Sequence, residues 1–165
     1  MRYLEDLTVG MTFEHGSRTL TRDEIIEFAR TFDPQPFHLD EAAAARSIFG
    51  RLVASGWHTA ALCQRLLVEA WVGSVATLGS PGVDELRWLR PVHPGDALTL
   101  HGELLAVTPS RSKPDRGSVR ARYQLRNQAG AVVLSMIGIG LVARRPGPVA
   151  GPAAGPAPAP GLPGQ

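Results

Sequence analysis

The stretch SGWHTAALCQRLLVEAW, Ser55 to Trp71, reads as a long and almost fully buried helix, and the rest of the chain reads as its covering. Ala60, Cys63, Leu67, Ala70 and Trp71 recur at helical spacing, while Ala61, Leu62, Leu66 and Val68 widen the apolar surface. His58, Arg65 and Glu69 leave one narrow polar stripe. Ser55 is a good N-cap. Gly56, just inside, leaves backbone amides open at the positive end of the helix dipole, a place that holds an anion or a developing oxyanion.

Upstream, Met11 to Leu20 alternates enough to predict a first strand. Thr21 to Glu24 is a capping box that starts a helix with Ile25, Ile26, Phe28 and Ala29 on one face. Pro34 disfavours helix at Asp33, so that helix ends near Phe32. Asp40 caps a second short helix, EAAAARSIF, with Ile48 and Phe49 as its apolar anchor and Gly50 as its stop. Downstream of the long helix the period changes from 3.6 to 2. Ser74–Gly79, Val83–Leu89, Ala97–Val107, Ser118–Arg126 and Ala131–Ala143 read as strands, the first two separated by Ser80-Pro81-Gly82 and the last two forming a hairpin. The class is α+β: residues 1–145 form one domain in which a curved antiparallel sheet wraps a central helix. Residues 146–165 carry seven of the 14 prolines and no charge, and are expected to be a disordered Pro/Gly/Ala-rich tail.

Composition excludes several function classes. Seventeen Lys plus Arg against 15 Asp plus Glu leave +2, and the basic residues are scattered rather than gathered into a nucleic-acid stripe. No segment reaches the roughly 20 apolar residues of a membrane span, and the first residues lack the apolar run of a secretory signal. The single cysteine, Cys63, lies within the apolar helix and reads as a small core residue, so a disulfide framework is out and a cytoplasmic setting is expected. His15, His93 and His101 have no partner at metal-ligand spacing, so no metal site is expected. There is no Gly-rich phosphate loop after a strand and no G-x-S-x-G elbow.

The chemistry-bearing stretch is Asp33-Pro34-Gln35-Pro36-Phe37-His38, an acid and an imidazole five positions apart on a loop stiffened by two prolines. Carboxylate and imidazole together move protons near neutral pH. Read alone, the pair serves either that role or a turn with a satisfied loop histidine. His58 faces either the site or solvent. Arg111, Lys113 and Arg116 form either a solvated hairpin loop or a contact for the phosphates of an anionic carrier.

Asp33-x-Gln35-Pro36-x-His38-x-Asp40, then Ile48-Phe49, then Ala54-Ser55-Gly56 opening the helix, then Arg90-Pro91-Val92-x-Pro94-Gly95-Asp96 before a long strand, resembles the MaoC-like hot-dog family over about Thr12 to Arg145. Within it the (R)-specific enoyl-CoA hydratases are the functional relatives the pattern points to. The resemblance implies that Asp33 and His38 are the catalytic pair and that the Gly56 amide is an oxyanion donor. Gln35 stands where the family usually has Asn, and Ser55 where it usually has His.

The implied reaction is a hydro-lyase step, reversible hydration of a trans-2-enoyl-CoA or enoyl-acyl carrier to the (R)-3-hydroxyacyl thioester. It needs no cofactor beyond the coenzyme A thioester that is itself the substrate. Ser55, Phe37, Phe49 and Trp57 are the expected substrate-binding residues, the three aromatics flanking the acyl chain. The expected working unit is a homodimer or a dimer-based oligomer with no nucleic-acid or membrane partner. Two other readings share the fold: a thioesterase, for which Glu69 is the carboxylate on the helix, and a non-catalytic acyl-thioester binding subunit.

Overall fold

The structure is a computed structural model that describes residues 1–147, so the expected tail lies, but for Pro146 and Gly147, outside the described residues. In chain order it holds β1 (Thr12–Thr19), α1 (Arg22–Phe32), α2 (Pro36–Leu39), α3 (Glu41–Ala45), α4 (Gly56–Ala70), β2 (Thr77–Trp88), β3 (Ala97–Pro109), β4 (Arg116–Arg126) and β5 (Val132–Ala143). The five strands form one antiparallel sheet in the order β1-β3-β4-β5-β2. None of the described helices is long and apolar enough to cross a membrane.

Alternation in β3 and β4 sends Leu98, Leu100, Leu104, Val119, Ala121 and Leu125 inward, where they join Leu62, Cys63, Leu66 and Leu67 of α4 in one core. The β4–β5 hairpin forms as expected. Asn127 closes its turn by accepting from the amides of Ala129 (3.1 Å) and Ala131 (3.0 Å). At the β1 edge of the sheet, Phe13 lies across Gly102 of β3 so closely that a Cβ there would come within 2.2 Å of the ring. Phe13 in turn stacks on Trp71 at 5.1 Å.

Four expectations need correction. The central helix is not almost fully buried: Thr59, Leu62, Cys63, Leu66 and Leu67 form one buried stripe, while Trp57 is 58% and Val68 42% exposed. One sheet covers only one side of a helix, so an apolar composition all round leaves the other side bare. Ser74–Gly79 and Val83–Leu89 are not two strands. They belong to the single strand β2, with Ser74 in a preceding 3-10 turn. Pro81 cannot donate to a ladder, but β2 is an edge strand that tolerates it. Register shifts on either side absorb the irregularity, and the Ser80 hydroxyl bonds the Ile139 carbonyl at 2.6 Å to keep the strand attached.

The helix expected through EAAAARSIF stops at Ala45. Ser47 Oγ donates to the Ala44 carbonyl (2.7 Å) and accepts from the Phe49 amide (3.1 Å), a local turn that competes with the helix. Ile48 is therefore 96% exposed and anchors nothing, whereas Phe49 packs on Phe37 at 5.2 Å. Finally, the expected loop around His38 contains α2, a single helical turn with Pro36 at its first position.

Candidate active site

Asp33 is the C-cap of α1, its amide still donating to the Ala29 carbonyl at 2.9 Å. Pro34 ends the helix there, and Pro36 starts α2, so the chain turns back within a few residues. That reversal brings His38 Nε2 to 3.4 Å from Asp33 Oδ2. The His38 side chain is nearly buried, and the Asp33 side chain is mostly so. His38 Nδ1 lies 2.7 Å from the Val53 carbonyl. A carbonyl only accepts, so the Nδ1 proton is assigned by its partner, and Nε2 of the neutral ring is left as an acceptor facing Asp33.

Two donors hold the carboxylate. Ser55 Oγ donates to Asp33 Oδ2 at 2.6 Å, and Gln35 Nε2 donates to Asp33 Oδ1 at 2.8 Å. The Ser55 hydroxyl is the first reason that Asp33 titrates below the usual carboxylate range. Gln35 acts in the same direction, as does the His38 ring when it carries a proton, against the opposing effect of burial. The same Ser55 oxygen accepts the Trp57 amide at 3.2 Å, so Ser55 is the expected N-cap of α4 and also ties the helix end to Asp33.

Gly56 opens α4, and among the described residues its N–H has no acceptor. The segment that delivers it is fastened from behind. His93 Nδ1 donates to the Leu52 carbonyl at 2.7 Å, and the Ala54 amide donates to the Val92 carbonyl at 2.8 Å. Two imidazoles thus grip adjacent carbonyls, His38 that of Val53 and His93 that of Leu52.

These groups meet in a cleft of about 440 Å³. Asp33, Gln35, His38 and Thr59 are polar members of its lining, and Phe37, Phe49, Trp57, Trp88 and Leu89 supply apolar walls. The sequence-derived set Asp33, His38, Gly56, Phe37, Phe49 and Trp57 is therefore gathered at one place. Ser55 is wholly buried and reaches the cleft only through Asp33, so it holds the carboxylate rather than lining a substrate path.

Other candidates lie elsewhere. His58 stacks face to face on Phe28 at 4.5 Å between α4 and α1, and burial lowers its pKa. Glu69 pairs with Arg65 and with His15 (3.5 Å) toward the far end of α4. Arg111, Lys113 and Arg116 sit on the β3–β4 connection or at its end and do not line the cleft.

Sequence reading missed Thr59, Trp88 and the fastening role of His93. Only Trp88 had a usable signal, an aromatic directly before the Leu89-Arg90-Pro91-Val92 run. Its indole Nε1 donates to the Gly56 carbonyl at 2.7 Å, and its ring lies where a Cβ on Gly56 would come within 2.7 Å. Glycine is required there by space.

The amino-acid sequence matches the family described as MaoC like domain over residues 6–127. The structure is similar to a MaoC-like dehydratase from Rhodospirillum rubrum, 45% identical, covering 88% of this chain and 99% of that one with a TM-score of 0.84. It is also similar to an (R)-hydratase from A. caviae involved in PHA biosynthesis, 26% identical, covering 82% and 97% with a TM-score of 0.63. A 3-hydroxybutyryl-CoA dehydratase of Methylorubrum extorquens is 34% identical over 112 residues, which are 67% of this chain and 69% of that protein. Longer curated relatives are matched too, and of two of these the chain spans 29% and 42%. The five-stranded antiparallel sheet with its central helix is the hot-dog fold of these neighbours, and the chain belongs to the MaoC-like domain family of hydratases and dehydratases.

Proposed function

We propose that this protein is a hydro-lyase that adds water reversibly to a trans-2-enoyl thioester, giving the (R)-3-hydroxyacyl thioester. The observation that carries the proposal is the pairing of Asp33 Oδ2 with an acceptor-form His38 Nε2, 3.4 Å apart, at the polar end of a largely apolar cleft that also contains Gly56. Two acceptors at that distance suit a water placed astride them, one water proton to each.

The Gly56 amide, at the positive end of α4, is positioned to take the thioester oxygen. The water oxygen then bonds C3 while a water proton passes to the pair; the C2–C3 π electrons become a C1–C2 double bond and the C1–O π electrons move onto the thioester oxygen, giving an enolate. Return of a proton from the pair to C2 completes the addition. Coenzyme A or an acyl carrier is the handle on the substrate, and the step requires no metal or redox group. The names of the Methylorubrum extorquens and A. caviae relatives support this class of reaction.

The thioesterase reading is disfavoured because Glu69 is engaged by Arg65 and His15 away from the cleft. One assay separates the readings: incubation with crotonyl-CoA while following the enoyl chromophore and free thiol. Loss of the chromophore without thiol is the expected result. Thiol release would make the protein a thioesterase, and binding with neither change would make it a non-catalytic subunit.

A further inference from the structure

A donor that must aim one N–H needs a fixed backbone, and glycine is the residue least able to hold a direction by itself. Gly56 is the first residue of α4, where amides have no partners within the helix. The peptide that carries its N–H ends in the Ser55 carbonyl, which accepts from the Thr59 amide at 3.1 Å and from the Thr59 hydroxyl at 3.3 Å. Both of those bonds are local to the helix. The peptide on the other side carries the Gly56 carbonyl, and its hold comes from 32 positions away, where the Trp88 indole Nε1 donates to it at 2.7 Å.

The same ring packs on the glycine itself, since a Cβ on Gly56 would lie 2.7 Å from the indole. Trp57 meets that ring edge-on at 5.2 Å and 77° and limits how far it can turn away. Trp88 ends β2 opposite Leu134 of β5, and the next amide, that of Leu89, donates to the Val133 carbonyl at 2.8 Å. The indole is thus mounted on the sheet and gives the start of α4 a reference outside the helix.

We propose that Trp88 is the positioning residue of the oxyanion donor: by its bond to the Gly56 carbonyl and its contact with the glycine, it fixes the direction of the Gly56 N–H. This rests on the reading of the cleft as an enoyl-thioester site with Gly56 as the donor. A hydrogen bond weakens steeply as its angle closes, and an oxyanion donor contributes most when nothing has to reorient during the reaction.

Trp88→Phe keeps a ring and loses the N–H. Infrared spectra of bound butyryl-CoA, ¹³C-labelled at its thioester carbon and without a double bond to hydrate, read the donor directly. The parent is expected to lower the carbonyl stretch relative to free butyryl-CoA, and Trp88→Phe to lower it less. With crotonyl-CoA, Trp88→Phe is expected to lose about tenfold in kcat, part of the roughly 10²–10³ that a missing donor costs, with KM within about twofold of the parent.

A folded Trp88→Phe with the parental carbonyl shift overturns the proposal, whatever its kcat, and leaves Gly56 as the donor. A parent with no carbonyl shift removes Gly56 as the donor and the proposal with it. A parent that shifts the carbonyl but leaves crotonyl-CoA unhydrated removes the hydratase reading instead, and the spectra still decide the role of Trp88. If Trp88→Phe does not fold, the Trp88 Nε1–H resonance of the parent decides. Exchange with solvent as fast as in free tryptophan overturns the proposal, and slowed exchange supports it.

Discussion

Ser55 Oγ donates a hydrogen bond to Asp33 and accepts one from the Trp57 amide, so a single oxygen couples the carboxylate to the start of α4. Asp33 is more acidic folded than unfolded. Its charge therefore contributes stability that is fully present above the unfolded value of about 3.9 and is lost as pH falls through the depressed folded value. Ser55→Ala removes the largest cause of the depression, so its acid-side loss of kcat/KM is expected to begin at a higher pH than in the parent. An acid limb that stays in place in the pH profile would contradict that role for Ser55.

The two proposed proton carriers should differ in what else they lose. Asp33→Asn is expected to lower kcat by about 10²–10⁴ with the melting temperature nearly kept. His38→Ala should lose activity similarly. It also leaves the buried Val53 carbonyl unpaired, which costs about 1–3 kcal/mol in a denaturation curve. Near-parental turnover in either variant would unseat the pair.

At the scale of elements, α1 carries Asp33 at its end, and its contact with α4 includes the stack of Phe28 on His58. His58 is less basic folded than unfolded because of burial, a shift that nearby Arg18 reinforces and Glu24 opposes. The unfolded chain then binds the extra proton, so this contribution to stability is present above about pH 6.5 and is lost as pH falls through the folded value. His58→Phe keeps an aromatic stack and removes the proton. Its melting temperature should fall less than the parent's between pH 7.5 and 5.5, and an equal fall in the two proteins would show that the α1–α4 seam is not acid-sensitive.

The element boundaries also show what sequence could supply. The capping box at Thr21 and the cap at Ser55 were legible because each is closed within a single turn. The continuity of β2 through Ser80-Pro81-Gly82 was not, since it depends on the Ile139 carbonyl 59 positions away.

For the whole molecule the notable feature is an unpaired edge. β2 closes one side of the sheet, and Leu78, Val83, Trp88 and Leu89 on or beside it are exposed, as are Trp57 and Val68 on the bare side of α4. A long edge strand with apolar neighbours is a template for another strand. A second copy related by a two-fold axis would cover both surfaces. Light scattering is expected to give twice the chain mass, and Val83→Lys to reduce it toward the single-chain value. A parent that runs as a monomer at micromolar concentration would rule the homodimer out.

What the sequence by itself determined is local. Helical spacing and a serine cap placed α4, a change to strand-like patterning bounded by turn residues placed β3, β4 and β5, and two prolines bracketing Gln35 placed Asp33 and His38 on a tight reversal. The family was read from the resemblance of the Asp33-x-Gln35-Pro36-x-His38, Ala54-Ser55-Gly56 and Arg90-Pro91-Val92 motifs, and that resemblance marked the candidate site. Only the tertiary structure decided which side of α4 is covered, that Ser55 reaches Asp33 from 22 positions away, that His93 holds Leu52 from 41, and that Trp88 lies on Gly56 from 32. The reason is physical: a cap or a period is set by neighbours within one turn, whereas each of these contacts depends on strand register and on the path of the chain between the partners.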